Sequence, residues 1–379
     1  MNKKKFIAAA AAFGVVASLV AVAPAANAEP VSPGLVAVGS DTLQDVLNAL
    51  ANGTETTGAF VRATANGIPF GNFDATEPHY DINLGNKLAI QPKAGLGSMG
   101  RPNGSGEGIN ALKASINGTA VTQGGVTSTP TGLVDIARSS SKRTAAASGI
   151  LYAVPFGRDA FAYAYKDATA SPSLANLTLQ QLKEIFECTL TTVGGEQVKP
   201  IIPQAGSGSR KDFLKIIGVD PSGNGALGAD SSCVGVGQEH DSRSLLENEI
   251  MPMSAAQWVT QNNFPSLSRL GANVVLGSPI SGASPVTGTA PDLVPNQTYY
   301  DDDVWGRDTF VLVSNDAITA GSASYNAGLA NLVGTGSTKL GHIGTSNTNF
   351  GASPSSTSAV KKKFGFLRPK TVAGYRTNG

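Results

Sequence analysis

Charge is what this sequence has least of. Of 379 residues, 15% are Asp, Glu, Lys or Arg, where a soluble domain carries about a quarter. Lys and Arg number 28 against 27 for Asp and Glu, a balance of +1. That gives no field for a polyanion and argues against a nucleic-acid partner. Histidine is scarce too. His79, His240 and His342 are scattered, and each reads as a surface or core residue rather than a catalyst. No G-x-S-x-G, G-x-x-x-x-G-K-[ST] or H-E-x-x-H motif occurs, so the common hydrolase, nucleotide and metalloprotease signatures are missing. Beyond residue 28 no run approaches the ~18 apolar residues of a membrane helix.

What is present is glycine (45 residues), proline (21) and a hydrophobic fraction of 41%, too high for a disordered chain. The length suits two domains or one two-lobed body. Lys3-Lys4-Lys5, an apolar run over 6–22 and Ala26-Asn27-Ala28 form a secretory leader, with cleavage expected after Ala28. No cysteine stands at that point, so no lipid anchor is expected and the product is secreted. Without the three leader lysines the balance becomes −2. In an exported protein the two cysteines, Cys188 and Cys233, read as one disulfide.

Short apolar runs rich in Val, Ile and aromatics recur at 35–38, 134–137, 151–156, 161–165, 198–202, 273–276 and 309–313, and read as buried strands. Between them Leu43, Val46, Leu47 and Leu50 share one helical face, and so do Leu179, Leu182, Ile185 and Phe186. Thr178-Leu179-Gln180-Gln181 and Ser254-Ala255-Ala256-Gln257 have the form of capping boxes. Strand-then-helix order predicts an α/β protein with a mainly parallel sheet. Gly/Ser/Thr/Asn/Pro-rich stretches at 113–132, 218–237 and 277–298 read as connections, and no internal repeat stands out.

Three junctions of small residues precede predicted helices: Gly39-Ser40-Asp41-Thr42, Gly104-Ser105-Gly106-Glu107-Gly108 and Gly206-Ser207-Gly208-Ser209. Each joins free helix-start N–H groups and the positive end of a helix dipole to Ser or Thr hydroxyls. Glycine lets the backbone come close. Those are the physical requirements for holding an oxyanion, although each turn is equally compatible with ordinary N-capping. A fourth segment, Asp135-Ile136-Ala137-Arg138-Ser139-Ser140-Ser141-Lys142, ends a strand with three hydroxyls and two cations. Asp301-Asp302-Asp303 reads as an exposed acidic turn. Glu239-His240-Asp241 suggests a metal or acid–base cluster, but three consecutive side chains cannot face one centre. No metal and no cofactor are expected.

The order of these segments resembles the phosphate-binding subunit of ABC importers, a type II periplasmic-binding-protein fold. The matching pieces are GSDTLQDVLNAL (39–50), RPNGSGEGINAL (101–112), VDIARSSSK (134–142), LYAVPFGRDAFAYAY (151–165), LTLQQLKEIFE (177–187) and PQAGSGSRKDF (203–213). The resemblance covers about 35 to 220 and is loose beyond. It implies two α/β lobes, each a mainly parallel sheet flanked by helices, with the ligand in the cleft between them. Lobe one would comprise 29–153 and the return over 306–379, lobe two 154–305, with crossings near 154–156 and 309–313. Carried over by position, the ligand contacts would come from Ser40, Asp41, Thr42 and Leu43, from Gly104, Ser105 and Gly106, from Ser139 and Ser140, and from Ser207, Gly208 and Ser209.

Two positions depart from the family's pattern. Its phosphate binders follow the strand-end serine with an aspartate that accepts the proton of HPO₄²⁻; here Ser140 stands there. They place an arginine three residues before the Gly-Ser-Gly; here Pro203 stands there. An uncompensated anion is costly in a dry cleft, so another cation is expected: Arg210 first, then Arg101 or Arg138. Asp41 could replace the acceptor, or serve as the N-cap of its own helix. The expectation is therefore an exported, monomeric, non-enzymatic binding protein for a small oxyanion, phosphate or sulfate. Its implied partner is an ABC permease. The alternative is the same fold in a secreted surface, matrix or signalling role without a transporter.

Overall fold

The structure is a computed structural model that describes residues 32, 34–76, 89–168, 172–220 and 233–379. The expected leader, its cleavage point and His79 lie outside the described residues.

β1 (Val36–Gly39) leads through a 3-10 turn (Asp41–Leu43) into α1 (Gln44–Asn52), followed by β2 (Gly71–Asn72), α2 (Ser105–Asn117) and β3 (Ile136–Ser139). Next come β4 (Leu151–Lys166), α3 (Leu179–Phe186), β5 (Lys199–Pro203), α4 (Gly208–Ile217), β6 (Gly235–Gly237) and β7 (Glu249–Ser254). After them lie α5 (Ala255–Asn263), β8 (Val274–Gly277), β9 (Gly306–Ser314), α6 (Thr357–Lys363) and β10 (Tyr375–Thr377). The main sheet has ten strands in the order β6-β5-β7-β4-β9-β3-β1-β2, with β8 and β10 also paired to β4.

Successive side chains of a strand point to opposite faces. Leu35 and Ala37 join one core cluster, and Val36 and Val38 join another on the other face. This strand is buried on both sides, which is why it reads as an unbroken apolar run. α1 closes the first face with Val46, Leu47 and Leu50, and α2 the second with Ile109 and Leu112. In the other half of the sheet α3 and α4 pack through Phe186 and Phe213, whose ring centroids are 5.4 Å apart. Thr178 and Gln181 form the expected reciprocal capping box of α3. Ser254 caps α5 by accepting from the Gln257 N–H.

Parallel pairing is confined to the two ends of the sheet, where β1 lies between β2 and β3, and β5 between β6 and β7. β4 pairs antiparallel with β7, β8, β9 and β10. The cause is its length: residues 151–160 pair with β9, and residues 161–165 continue into the other half against β7. A chain that crosses between halves on one strand must run back against it. The two strands expected at 151–156 and 161–165 are thus one. The polar triplet between them, Gly157-Arg158-Asp159, follows a one-residue register shift after Pro155 and stays in the strand, with Arg158 opposite Asp308 and Asp159 opposite Arg307 on β9. The 113–132 stretch is also more ordered than expected: it holds the end of α2 and a hairpin pairing Val121–Gln123 with Val126–Ser128. Cys188 and Cys233 are disulfide-bonded, and the loop they close contains α4 and the turn before it.

Candidate functional site

The three glycine-serine turns meet. A Cβ on Gly108, in the first turn of α2, would lie 2.6 Å from the Gly39 Cα, so the ends of β1 and α2 touch backbone to backbone. A Cβ on Gly208 would lie 2.6 Å from Ser105 Oγ and 2.9 Å from Ser141 Oγ, which brings the start of α4 onto the start of α2 and the loop after β3. The Gly106 N–H donates to the Gly206 carbonyl at 3.3 Å. Only glycine allows both approaches. Ser40, Asp41, Thr42, Ser105, Ser139, Ser140, Ser207 and Ser209 are all buried there, while the Leu43 side chain enters the hydrophobic core.

The hydroxyls are not equivalent. Ser105 Oγ lies 3.1 Å from Ser140 Oγ and accepts from the Ser140 N–H. Ser139 Oγ turns back on its own loop and donates to the Ser141 carbonyl. Ser207 Oγ caps α4 by accepting from the Arg210 N–H at 3.0 Å, which leaves its proton available. Ser141 Oγ, the third hydroxyl of the strand-end segment, is buried with no hydrogen-bond partner among the described residues.

The cation at this meeting point is Arg307, at the start of β9. Its Nη1 donates to Ser209 Oγ at 2.9 Å and its Nη2 to Thr42 Oγ1 at 3.3 Å, so one guanidinium bridges α4 to the start of α1. Asp159 on β4 holds it from behind, accepting from Nε at 2.9 Å, and Phe161 lies beneath it at 3.9 Å. Asp159 in turn accepts from Ser254 Oγ and the Ala256 N–H at the start of α5.

None of the three cations expected from the sequence takes this place. Arg138 is fully buried, and its guanidinium donates to the Ser40, Gly39 and Phe73 carbonyls and to Asn72 Oδ1. It staples β1 to β3 and β2, and burial pushes its pKa down to about 10 despite the nearby aspartates. Arg101 donates to the Asp74 carbonyl. Arg210 donates to the Pro203 carbonyl at the rim of a ~500 Å³ pocket that also takes in Arg143, Ser207 and Lys211. The signal that could have found Arg307 is a repeated triplet, Gly157-Arg158-Asp159 and Gly306-Arg307-Asp308. Set antiparallel, the two triplets form reciprocal ion pairs, Arg158–Asp308 at 2.9 Å and Arg307–Asp159 at 2.8 Å.

Asp41 does not cap its own helix. Its Oδ1 lies 2.7 Å from His240 Nδ1 and 3.4 Å from Arg269 Nη2, both from the other half of the molecule. Burial works to raise its pKa, but Arg269 and the His240 bond outweigh that and hold the carboxyl below its usual value. Asp45, one turn further on, is pushed up to about 6 by burial, against the pull of Arg269. Gln257 ties the same junction by donating to the Thr42 carbonyl. His240 has a left-handed φ of 57°, uncommon for a residue with a side chain. The turn puts both Glu239 and His240 against the first half of the chain, while Asp241 leaves to pair with Arg243. The sequence reading, that three consecutive side chains cannot face one centre, misses that Glu239 and His240 both face inward. Glu239 Oε1 accepts from Thr42 Oγ1 at 3.3 Å. Asn103, Gln204 and Gln238 join the approaches to the turns: Gln204 Nε2 donates to Asn103 Oδ1, Asn103 Nδ2 to Gln238 Oε1, and the Glu239 N–H to Gln204 Oε1. Among the described residues there is no group of three His, Cys, Asp or Glu placed to hold a metal ion, and no helix is long and apolar enough to cross a membrane.

The molecule is thus a mixed α/β body in which helix starts from both halves meet at one buried guanidinium. The chain belongs to the periplasmic-binding-protein superfamily: the model of the PBP superfamily domain matches residues 24–362. Among solved structures, the chain is similar to an ancestral soluble variant of the human phosphate binding protein, at 16% identity and a TM-score of 0.48, covering 88% of this chain and 90% of that one. It is also similar to a putative phosphate ABC transporter substrate-binding protein with bound phosphate from Clostridium perfringens (14%, TM-score 0.43, 79% and 92%). A third is an ABC-type phosphate transport receptor from Vibrio cholerae (14%, TM-score 0.42, 78% and 93%). No curated protein matches the chain significantly.

Proposed function

We propose that the protein is an exported binding protein that captures inorganic phosphate between two lobes, 29–153 with 306–379 and 154–305, and hands it to an ABC permease. The observation that carries this reading is Arg307, whose fork joins Thr42 from one side of the cleft to Ser209 from the other. A bidentate guanidinium suits a tetrahedral oxyanion. The surrounding helix starts add N–H and O–H donors without adding charge. The arginine missing at Pro203 is thereby replaced from a distant part of the chain. Ser105, Ser140, Ser207 and the Gly208 and Ser209 backbone complete the ligand shell. Capture of this kind needs no chemistry. His240 faces the carboxylates of Asp41 and Glu239, so it is not placed to activate one of the serines.

Isothermal titration of ligand-stripped protein with phosphate tests the reading. One saturable site accompanied by a rise in melting temperature is expected. No heat and no thermal shift with either phosphate or sulfate would rule out oxyanion capture.

A further inference from the structure

Three cations converge on one cavity that no carboxylate lines. Arg143, from the loop after β3, and Arg210 and Lys211, from the first turn of α4, face the ~500 Å³ pocket whose other walls are Gly106 and the 205–208 turn. In a chain with 28 basic and 27 acidic residues this is a sharp local excess. Arg210 donates to the Pro203 carbonyl and Arg143 Nη2 to Ser139 Oγ at 3.5 Å, while Arg143 Nε is buried with no hydrogen-bond partner. Burial holds both guanidiniums below their ordinary pKa; Asp212 partly offsets this at Arg143, whereas at Arg210 burial acts alone. Glu107 stands behind Gly206 and accepts from the Asn103 N–H. The neighbouring ~670 Å³ cavity shows the contrast. It too holds several cations, but Asp212, Asp303 and Asp308 line it, and Arg158 and Lys370 are paired there with Asp308 and Asp303.

Desolvated charges of one sign gathered in a cavity repel each other and are costly without a counter-charge. An anion supplies it, and guanidinium and ammonium groups hold phosphoryl oxygens through charge-assisted bonds. The pocket adjoins the phosphate seat. Ser207 and Gly208 line it and also belong to the ligand shell proposed above, and Ser209, next in the chain, accepts from Arg307. A single tetrahedral anion at Arg307 leaves the three cations unanswered. Two phosphoryl groups that share a bridging oxygen lie side by side, as the two seats do. We propose that the pocket is a second phosphoryl seat, so that the protein takes condensed phosphates, with one phosphoryl at Arg307 and the next between Arg143, Arg210 and Lys211. This rests on the phosphate reading above and widens it from orthophosphate to the diphosphate class.

The test is isothermal titration of wild type, the double variant Arg143→Gln/Lys211→Gln and Lys215→Gln with phosphate and with diphosphate, in metal-free buffer. Wild type should bind diphosphate at least about 10-fold more tightly than phosphate, the effect of one or two added charged hydrogen bonds. The double variant should lose that advantage and keep its phosphate affinity within about threefold. Lys215 lines the neighbouring cavity, so K215Q should leave the advantage intact. Equal weakening of both ligands in the double variant would reveal a structural or long-range role and overturn the proposal. So would an advantage lost in K215Q instead, which would put the second phosphoryl in the other cavity. Should the double variant not fold, Lys211→Gln decides, because that side chain is exposed. There the advantage should shrink by about threefold or more, and an unchanged preference overturns the second seat. Wild type that binds phosphate but favours diphosphate by less than about threefold overturns the second seat and leaves phosphate capture standing. Wild type that binds neither overturns the phosphate reading itself.

Discussion

Arg307 is oriented before any ligand arrives. Asp159 fixes one edge of its guanidinium, Phe161 one face, and Ser209 and Thr42 take the outer N–H groups. Arg307→Gln should therefore weaken phosphate binding by about 2–5 kcal/mol, the range for truncating a buried charged hydrogen-bonding partner. Titration against wild type measures this, and a loss under about threefold would place the anion elsewhere. Lys361 makes a different residue-scale prediction. Its ammonium is fully buried, donates to the Phe156, Leu340 and His342 carbonyls and lies 4.2 Å from the Phe156 ring centre. Burial pushes its pKa well below the ordinary 10.5. Between the lowered value and 10.5 the unfolded chain binds the proton more tightly than the folded one, so stability rises with pH through that window. The melting temperature of wild type relative to Lys361→Met should accordingly climb from pH 7 towards pH 10. A constant difference would show that Lys361 titrates normally.

Elements follow the same logic of local pattern first and tertiary pairing second. The apolar run of β1 and the 3.6-residue spacing of α1 and α3 were legible because burial on one or both faces writes itself into the sequence. The cap residues Thr178, Ser207 and Ser254 were legible too, and all three accept the expected backbone N–H. The continuity of β4 was not, because Arg158 and Asp159 look like a break until Asp308 and Arg307 stand opposite them. Pairing between distant strands leaves no periodic trace. The disulfide stands between these cases: two cysteines leave only one intramolecular pairing, and Cys188–Cys233 is formed. It closes a loop of 45 residues around α4, for which chain entropy gives a stabilisation of about 4 kcal/mol. Denaturant unfolding with and without reductant should show a loss approaching that size. An unchanged midpoint would mean that the reduced, unfolded chain is already restrained.

Taken as a whole, the molecule offers oxyanion-holding groups without relying on net charge. The three glycine-serine turns could be read from sequence as oxyanion-holding groups, and the structure brings them together around Ser105, Gly208 and Thr42. The charged partners that meet at this junction were not legible. Arg210, Arg138 and Arg101 are nearer to the motifs in sequence, yet Arg307 reaches Thr42 from the returning strand and Glu239 reaches it from the loop after β6. Both depend on how the two halves of the sheet face each other, which no local spacing encodes. Scarce charge is consistent with this arrangement, since Asp41, Asp159, Arg269 and Arg307 at the junction are mostly buried and paired with one another or with His240. The most direct measurement is a crystal structure of the protein grown with phosphate. Tetrahedral density within hydrogen-bonding distance of Arg307 and the starts of α1, α2 and α4 is the predicted result. A phosphate bound outside that junction, or an unoccupied junction in saturating phosphate, would contradict it.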